Sequence, residues 1–147
     1  MTDKKIALFD LDDTLINVKE VMFTSMREEY GADRVPHWSL WTDFKLEKMI
    51  GITLDELIEV SIRRETFRIV RPHLFSPYLL RDLRARGWYV IILTARDGFV
   101  PNAYEETRAY LDIHGLEYDE LIVSKVFDNK MNSLDHHDKL TFTIDDQ

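Results

Sequence analysis

The chain has 147 residues, 45% of them hydrophobic, which is enough to build the core of one domain with a modest insertion. Its 27 acidic residues outnumber 19 basic ones, and the net charge of -8 disfavours non-specific attraction to nucleic acid or to anionic lipid. The absence of cysteine excludes disulfides, thiolate metal sites and cysteine catalysis.

From the N-terminus, Met1 to Lys5 lead straight into the apolar run Ile6 to Phe9. That run is too short for a signal-peptide core or a membrane span, so a protein of the reducing cytoplasm is expected. It ends in Asp10 and reads as a strand buried on both faces. Similar runs return at 88 to 93, 121 to 123 and 140 to 144. Helical stretches alternate with them, which predicts βαβ crossovers and a Rossmann-like parallel sheet of the α/β class. One helix is predicted over 77 to 86, with Ser76 as N-cap, Pro77 at its first position and Gly87 just past its end. Another is predicted over 101 to 114, stopped by Gly115.

Between the first two strands, residues 16 to 75 exceed what a crossover needs and read as an inserted helical cap. Residues 1 to 15 and 76 to 147 then form the α/β core. Within the cap, helices are predicted at 19 to 30, 39 to 50 and 53 to 70. The last starts with a capping box of Thr53 and Glu56, with Ile52 and Leu57 placed to staple it. Arg64, Arg68 and Arg71 would share one face of that helix, either as a solvated surface or as a receiver for substrate phosphate. Trp38, Trp41 and Phe44 read as cap core, and His136 with His137 as a surface pair.

Asp10, Asp12 and Asp13 follow the first predicted strand, and Asp145 with Asp146 follow the last. Open parallel sheets place their sites at these carboxyl ends. Strand alternation lets residues 10 and 12 turn toward one crevice. So many carboxylates call for a cation, and an oxygen-only donor set suggests Mg2+.

The segment Phe9-Asp10-Leu11-Asp12-Asp13-Thr14-Leu15 resembles the first motif of the haloacid dehalogenase superfamily. The resemblance implies Asp10 as the nucleophile that attacks phosphorus and Asp12 as the general acid and base. Leu93-Thr94-Ala95-Arg96 is similar to the second motif, which implies that Thr94 and the backbone at Ala95 bind the transferring phosphoryl group. Ile144-Asp145-Asp146 resembles the fourth motif, with Asp145 as a metal ligand beside Asp10 and Asp12, and Asp146 close by. The third motif is a lysine. Lys125, Lys130 and Lys139 lie in the right interval, and Lys130 is preferred because 131 to 136 can follow it as a helix. The family usually continues with another helix and strand, so a chain ending at Gln147 is expected to have a minimal sheet or to be a piece of a longer protein.

What the resemblance implies is a Mg2+-dependent phosphomonoesterase acting through an aspartyl-phosphate on a nucleotide or another small phosphorylated metabolite. A carboxylate nucleophile suits that chemistry, because the acyl phosphate it forms is open to attack by water. Leu-Thr-Ala-Arg also resembles polynucleotide phosphatases, so action on a nucleic-acid 3′ end is the alternative, disfavoured by the acidic charge. A phosphorylated receiver module would carry its aspartate on a later strand. A non-catalytic phospho-ligand-binding protein on the same scaffold is the remaining reading.

Overall fold

Continuous apolar runs place the strands. The computed structural model describes residues 5–41, 47–125 and 142–144. Strands β1 (Ile6–Phe9), β2 (Tyr89–Asp97), β3 (Glu120–Lys125) and β4 (Phe142–Ile144) form one parallel sheet in the order β3-β2-β1-β4. Ile6, Leu8, Ile91 and Leu93 make a buried cluster, while Ala7, Phe9, Val90 and Ile92 are wholly buried between them in sequence. Apolar residues at successive positions, all withdrawn from water, are what a sheet covered on both faces requires. The fold is α/β.

The chain divides into two compact units. One is formed by Met1–Ile16 with Arg71–Gln147, the other by Asn17–Val70. In the first unit α5 (Ser76–Ala85) and α6 (Ala103–Ile113) flank the strands in sequence. Ser76 is not the N-cap that its type and place before Pro77 predict. Phe75 holds that position, and Ser76 lies inside the first turn, fully buried, donating from Oγ to the Leu15 carbonyl at 2.8 Å. A hydroxyl committed to a distant carbonyl does not cap its own helix.

β2 is longer than the predicted 88 to 93 and runs through Thr94, Ala95 and Arg96. The register explains why. Thr94 faces Val123 and Asp97 faces Lys125, so two residues of β2 stand opposite the single Ser124 of β3. Such a bulge adds a residue and sharpens the local twist, and its sequence does not read as a regular strand.

The second unit contains α1 (Val18–Tyr30), a short α2 (Glu47–Ile50), α3 (Leu54–Arg63) and α4 (Thr66–Ile69). The capping box forms: Thr53 Oγ1 accepts from the Glu56 N–H at 3.2 Å, and Glu56 accepts from the Thr53 N–H at 3.5 Å. Two predicted helices are corrected. The stretch 39 to 50 is not one helix, because a 3-10 turn at Trp38–Leu40 gives way to extended backbone at Trp41, whose buried indole N–H donates to the Pro36 carbonyl at 3.1 Å. The stretch 53 to 70 is broken at Glu65, which has a left-handed backbone with φ 53°.

That break has a use. Consecutive residues of an unbroken helix point in different directions, yet Arg63 and Arg64 both reach Glu29 on α1, with contacts of 2.5 Å and 2.9 Å. Arg64 also pairs with Glu28 at 2.6 Å. The same break removes the common face predicted for Arg64, Arg68 and Arg71: Arg64 caps α3, Arg68 sits on α4, and Arg71 lies past it. No helix among the described residues is long and apolar enough to cross a membrane.

Hydrogen bonds from Arg63 and then Arg64 pull the Glu29 carboxyl down from 4.5 to about 2. A depressed folded-state value contributes stability that is present above the unfolded value and is lost as pH falls through the folded one. The side chain is 22% exposed, so solvent screening keeps the contribution small. Glu29→Gln should therefore be less stable than the native chain at about pH 6, and the difference should close as pH falls toward about 2. Urea unfolding of both proteins across that range checks it; a constant difference would contradict the pairing.

Candidate active site

The site begins where β1 ends. After Phe9 the chain coils tightly around the Leu11 carbonyl, which accepts from the N–H groups of Thr14, Leu15 and Ile16 at 3.3, 3.0 and 3.2 Å. Asp13 takes the left-handed conformation, φ 63°, which aspartate tolerates better than most residues. Leu11, Leu15 and Ile16 are buried, so the loop is anchored by its own apolar side chains. The Leu15 carbonyl is held further by the His73 N–H at 2.9 Å and by Ser76.

This loop carries Asp10 and Asp12. Asp10 is 7% exposed, and its Oδ1 accepts from the Leu11 N–H at 3.0 Å. The Asp12 carboxylate meets two side chains from the end of β2. Thr94 Oγ1 donates to Oδ2 at 3.2 Å. Arg96 donates from Nε to both oxygens at 3.1 Å and from Nη2 to Oδ1 at 2.5 Å.

Arg96 ends the Leu-Thr-Ala-Arg segment, where the sequence alone gives it no role. Its side chain is only 2% exposed, and its Nη1 donates to Thr107 Oγ1 of α6 at 3.4 Å. The signal was present. Thr94 and Arg96 both meet Asp12 although the bulge interrupts regular alternation between them, and an arginine within a buried strand needs a carboxylate. Tyr110 of α6 stands near the pair. Burial pushes its hydroxyl well above the usual phenol range, Arg96 draws it back, and Asp12 raises it. It remains a neutral wall throughout the physiological range.

The other expected site residues are distributed as follows. Ala95 lies half-buried on the bulge of β2, and Lys125 is exposed at the end of β3, opposite Asp97. Arg64 donates to Glu28 and Glu29, and Arg68 Nη1 to Glu65 at 2.8 Å. Lys130, Lys139, Asp145 and Asp146 lie outside the described residues, as does the predicted helix at 131 to 136. β4 pairs with β1 so that Ile144 faces Phe9, the residue before Asp10. Among the described residues no three His, Asp or Glu side chains converge as a metal site.

No protein-family model matches the sequence, and no curated protein matches it. Solved structures do. A hydrolase from Streptococcus pneumoniae TIGR4 superposes with a TM-score of 0.60 at 14% identity, over 97% of this chain and 81% of that one. A haloacid dehalogenase-superfamily hydrolase, subfamily IA, from Geobacter sulfurreducens PCA gives 0.52 at 12% identity, over 91% and 74%. This chain has the haloacid dehalogenase-like fold. A haloacid dehalogenase-like family protein from Streptococcus pneumoniae gives 0.51 at 22% identity, over 97% and 75%. A Clostridium difficile protein, a phosphatase by assignment, gives 0.56 at 18% identity, and this chain spans 65% of its length, just under two thirds. Likeness at such identities carries the fold, and the site residues must carry any activity.

Removing one member of a buried ion pair strands the other. Asp12→Ala should therefore destabilise the chain by about 3 kcal/mol, and adding Arg96→Met should restore much of that loss by removing the orphaned guanidinium. Denaturant midpoints of the single and double variants measure it. An Asp12→Ala protein as stable as the native chain would show that Arg96 does not depend on this carboxylate.

Proposed function

We propose that the chain is a Mg2+-dependent phosphomonoesterase in which Asp10 forms an aspartyl-phosphate and Asp12 is the general acid and base. The observation that carries this reading is the hydrogen bond between Thr94 and Asp12, 3.2 Å long, which joins the β1 aspartate loop to the end of β2. A nucleophile, a proton carrier and a hydroxyl donor then lie together at the carboxyl ends of the two central strands, as phosphoryl transfer requires.

In the first step an Asp10 oxygen bonds to phosphorus. The ester oxygen departs with the bonding pair and takes the proton of Asp12. In the second, water attacks the phosphorus of the acyl phosphate, Asp12 accepts its proton, and the Asp10 carboxylate leaves as inorganic phosphate is released. The Ala95 N–H and the Thr94 hydroxyl, once it turns its single proton from Asp12 to the substrate, are the proposed phosphoryl-binding donors, with Lys130, or Lys125 in its place, as the compensating cation.

The donor chemistry fits a hard cation. Asp10 and Asp145 are the proposed Mg2+ ligands, with Asp146 nearby. Asp12, expected among the ligands, is the poorer one through its carboxylate, because a guanidinium already engages both oxygens. A bound magnesium supplies positive charge beside the phosphoryl oxygens. A nucleotide or another small phosphorylated metabolite of the cytoplasm is the proposed substrate. The acidic chain does not favour a nucleic acid, and Arg64 and Arg68 are retained as substrate contacts only if they exchange their glutamates for phosphate.

The test is a screen of phosphorylated metabolites with the native chain and with Asp10→Asn, in Mg2+ and in chelator. Turnover should fall by about 10⁴-fold or more in the variant, vanish with chelator and return with added Mg2+. Turnover that survives the loss of Asp10 would move the nucleophile elsewhere, and full activity in chelator would remove the metal from the account.

A further inference from the structure

The guanidinium of Arg96 is too well buried and too specifically aimed to be a surface charge. It meets Asp12 edge-on, with Nε shared between the two oxygens at 3.1 Å and Nη2 on Oδ1 at 2.5 Å. A planar fork of this kind fixes the orientation of a carboxylate, which a lysine ammonium, a rotatable point charge, does not do. The two oxygens are left unlike. Oδ1 accepts two guanidinium contacts, whereas Oδ2 accepts one shared contact and the neutral hydroxyl of Thr94 at 3.2 Å. Each oxygen thus accepts two hydrogen bonds, and Oδ2, with the less charged donors, is the one at which a proton is exchanged against less positive charge. Arg96 is itself steadied from α6, where the fully buried Thr107 accepts from Nη1 at 3.4 Å.

We propose that Arg96 is the positioning residue for proton transfer by Asp12, that it presents Oδ2 to the leaving oxygen, and that Thr107 holds Arg96 in register. This rests on the acid/base reading of Asp12. The role is distinct from stability, because it acts on one half of the chemistry. A basic alkoxide needs its proton as it departs; a phenolate hardly does.

The experiment compares alkyl and aryl phosphates with the native chain, Arg96→Lys, Thr107→Val and Asp12→Asn. Arg96→Lys retains the charge and loses the fork. It should lower kcat for alkyl esters by about 30-fold or more, change KM less than about threefold, and slow phosphorylation by aryl esters much less. Thr107→Val, nearly isosteric and a safer fold, should show the same discrimination at about two- to fivefold. In the Asp12→Asn background, Arg96→Lys should add little, since the group it positions is gone.

Equal slowing of alkyl and aryl esters in Arg96→Lys and Thr107→Val, while Asp12→Asn still discriminates, overturns the positioning role alone. Failure of Asp12→Asn to discriminate overturns the acid/base reading and the positioning role with it. The clamp also has a readout that needs no turnover: the Arg96 Nε–H should resist solvent exchange by NMR in the native chain and lose that protection in Asp12→Ala. An unprotected Nε–H in the native chain overturns the proposal whatever the phosphatase reading does.

Discussion

A guanidinium withdrawn from water must be matched by a carboxylate, and here the match is made between Arg96 at the end of β2 and Asp12 in the loop after β1. Much of the site follows from that pairing. The loop cannot move away without leaving a charge in the interior, at a cost of several kcal/mol. The bulge at Ala95 and Arg96 lies where β2 must turn an arginine inward. The hydroxyls of Thr94 and Thr107 complete the donor set on one side and the acceptor set on the other. Pairing of this kind is costly in desolvation, and an apolar pair of similar volume would serve stability as well.

The regular parts of the fold were legible in the sequence. Burial on both faces is written in runs such as Ile6 to Phe9, and the Thr53 capping box is a local pattern that the backbone satisfies locally. The place of Asp10, directly after β1, was legible because a strand followed by a carboxylate is a local feature as well. What escaped was set by partners far away in the chain. Ser76 has the appearance of a cap, and only the Leu15 carbonyl, 61 residues earlier, gives its hydroxyl another use. The extent of β2 depends on a register shift against β3 that no single strand announces.

The helical unit teaches the same lesson through charge. A continuous helix from Thr53 to Val70 has good local propensity, and a row of arginines on its face reads as a solvated surface or as a phosphate receiver. The structure breaks it at Glu65 and turns Arg63 and Arg64 onto Glu29 of α1. Long-range ion pairing, invisible in periodicity, decides where those cations point.

Transfer of the phosphoryl group to Asp10 is the step on which the proposed reaction rests. Its most direct measurement is to quench the chain with acid during turnover, reduce it with borotritide and map the label by peptide sequencing. An aspartyl-phosphate is an acyl phosphate, and hydride reduction converts that side chain into homoserine. Tritiated homoserine is expected at position 10 and nowhere else. Label at another carboxylate, or none while phosphate is being released, would contradict it.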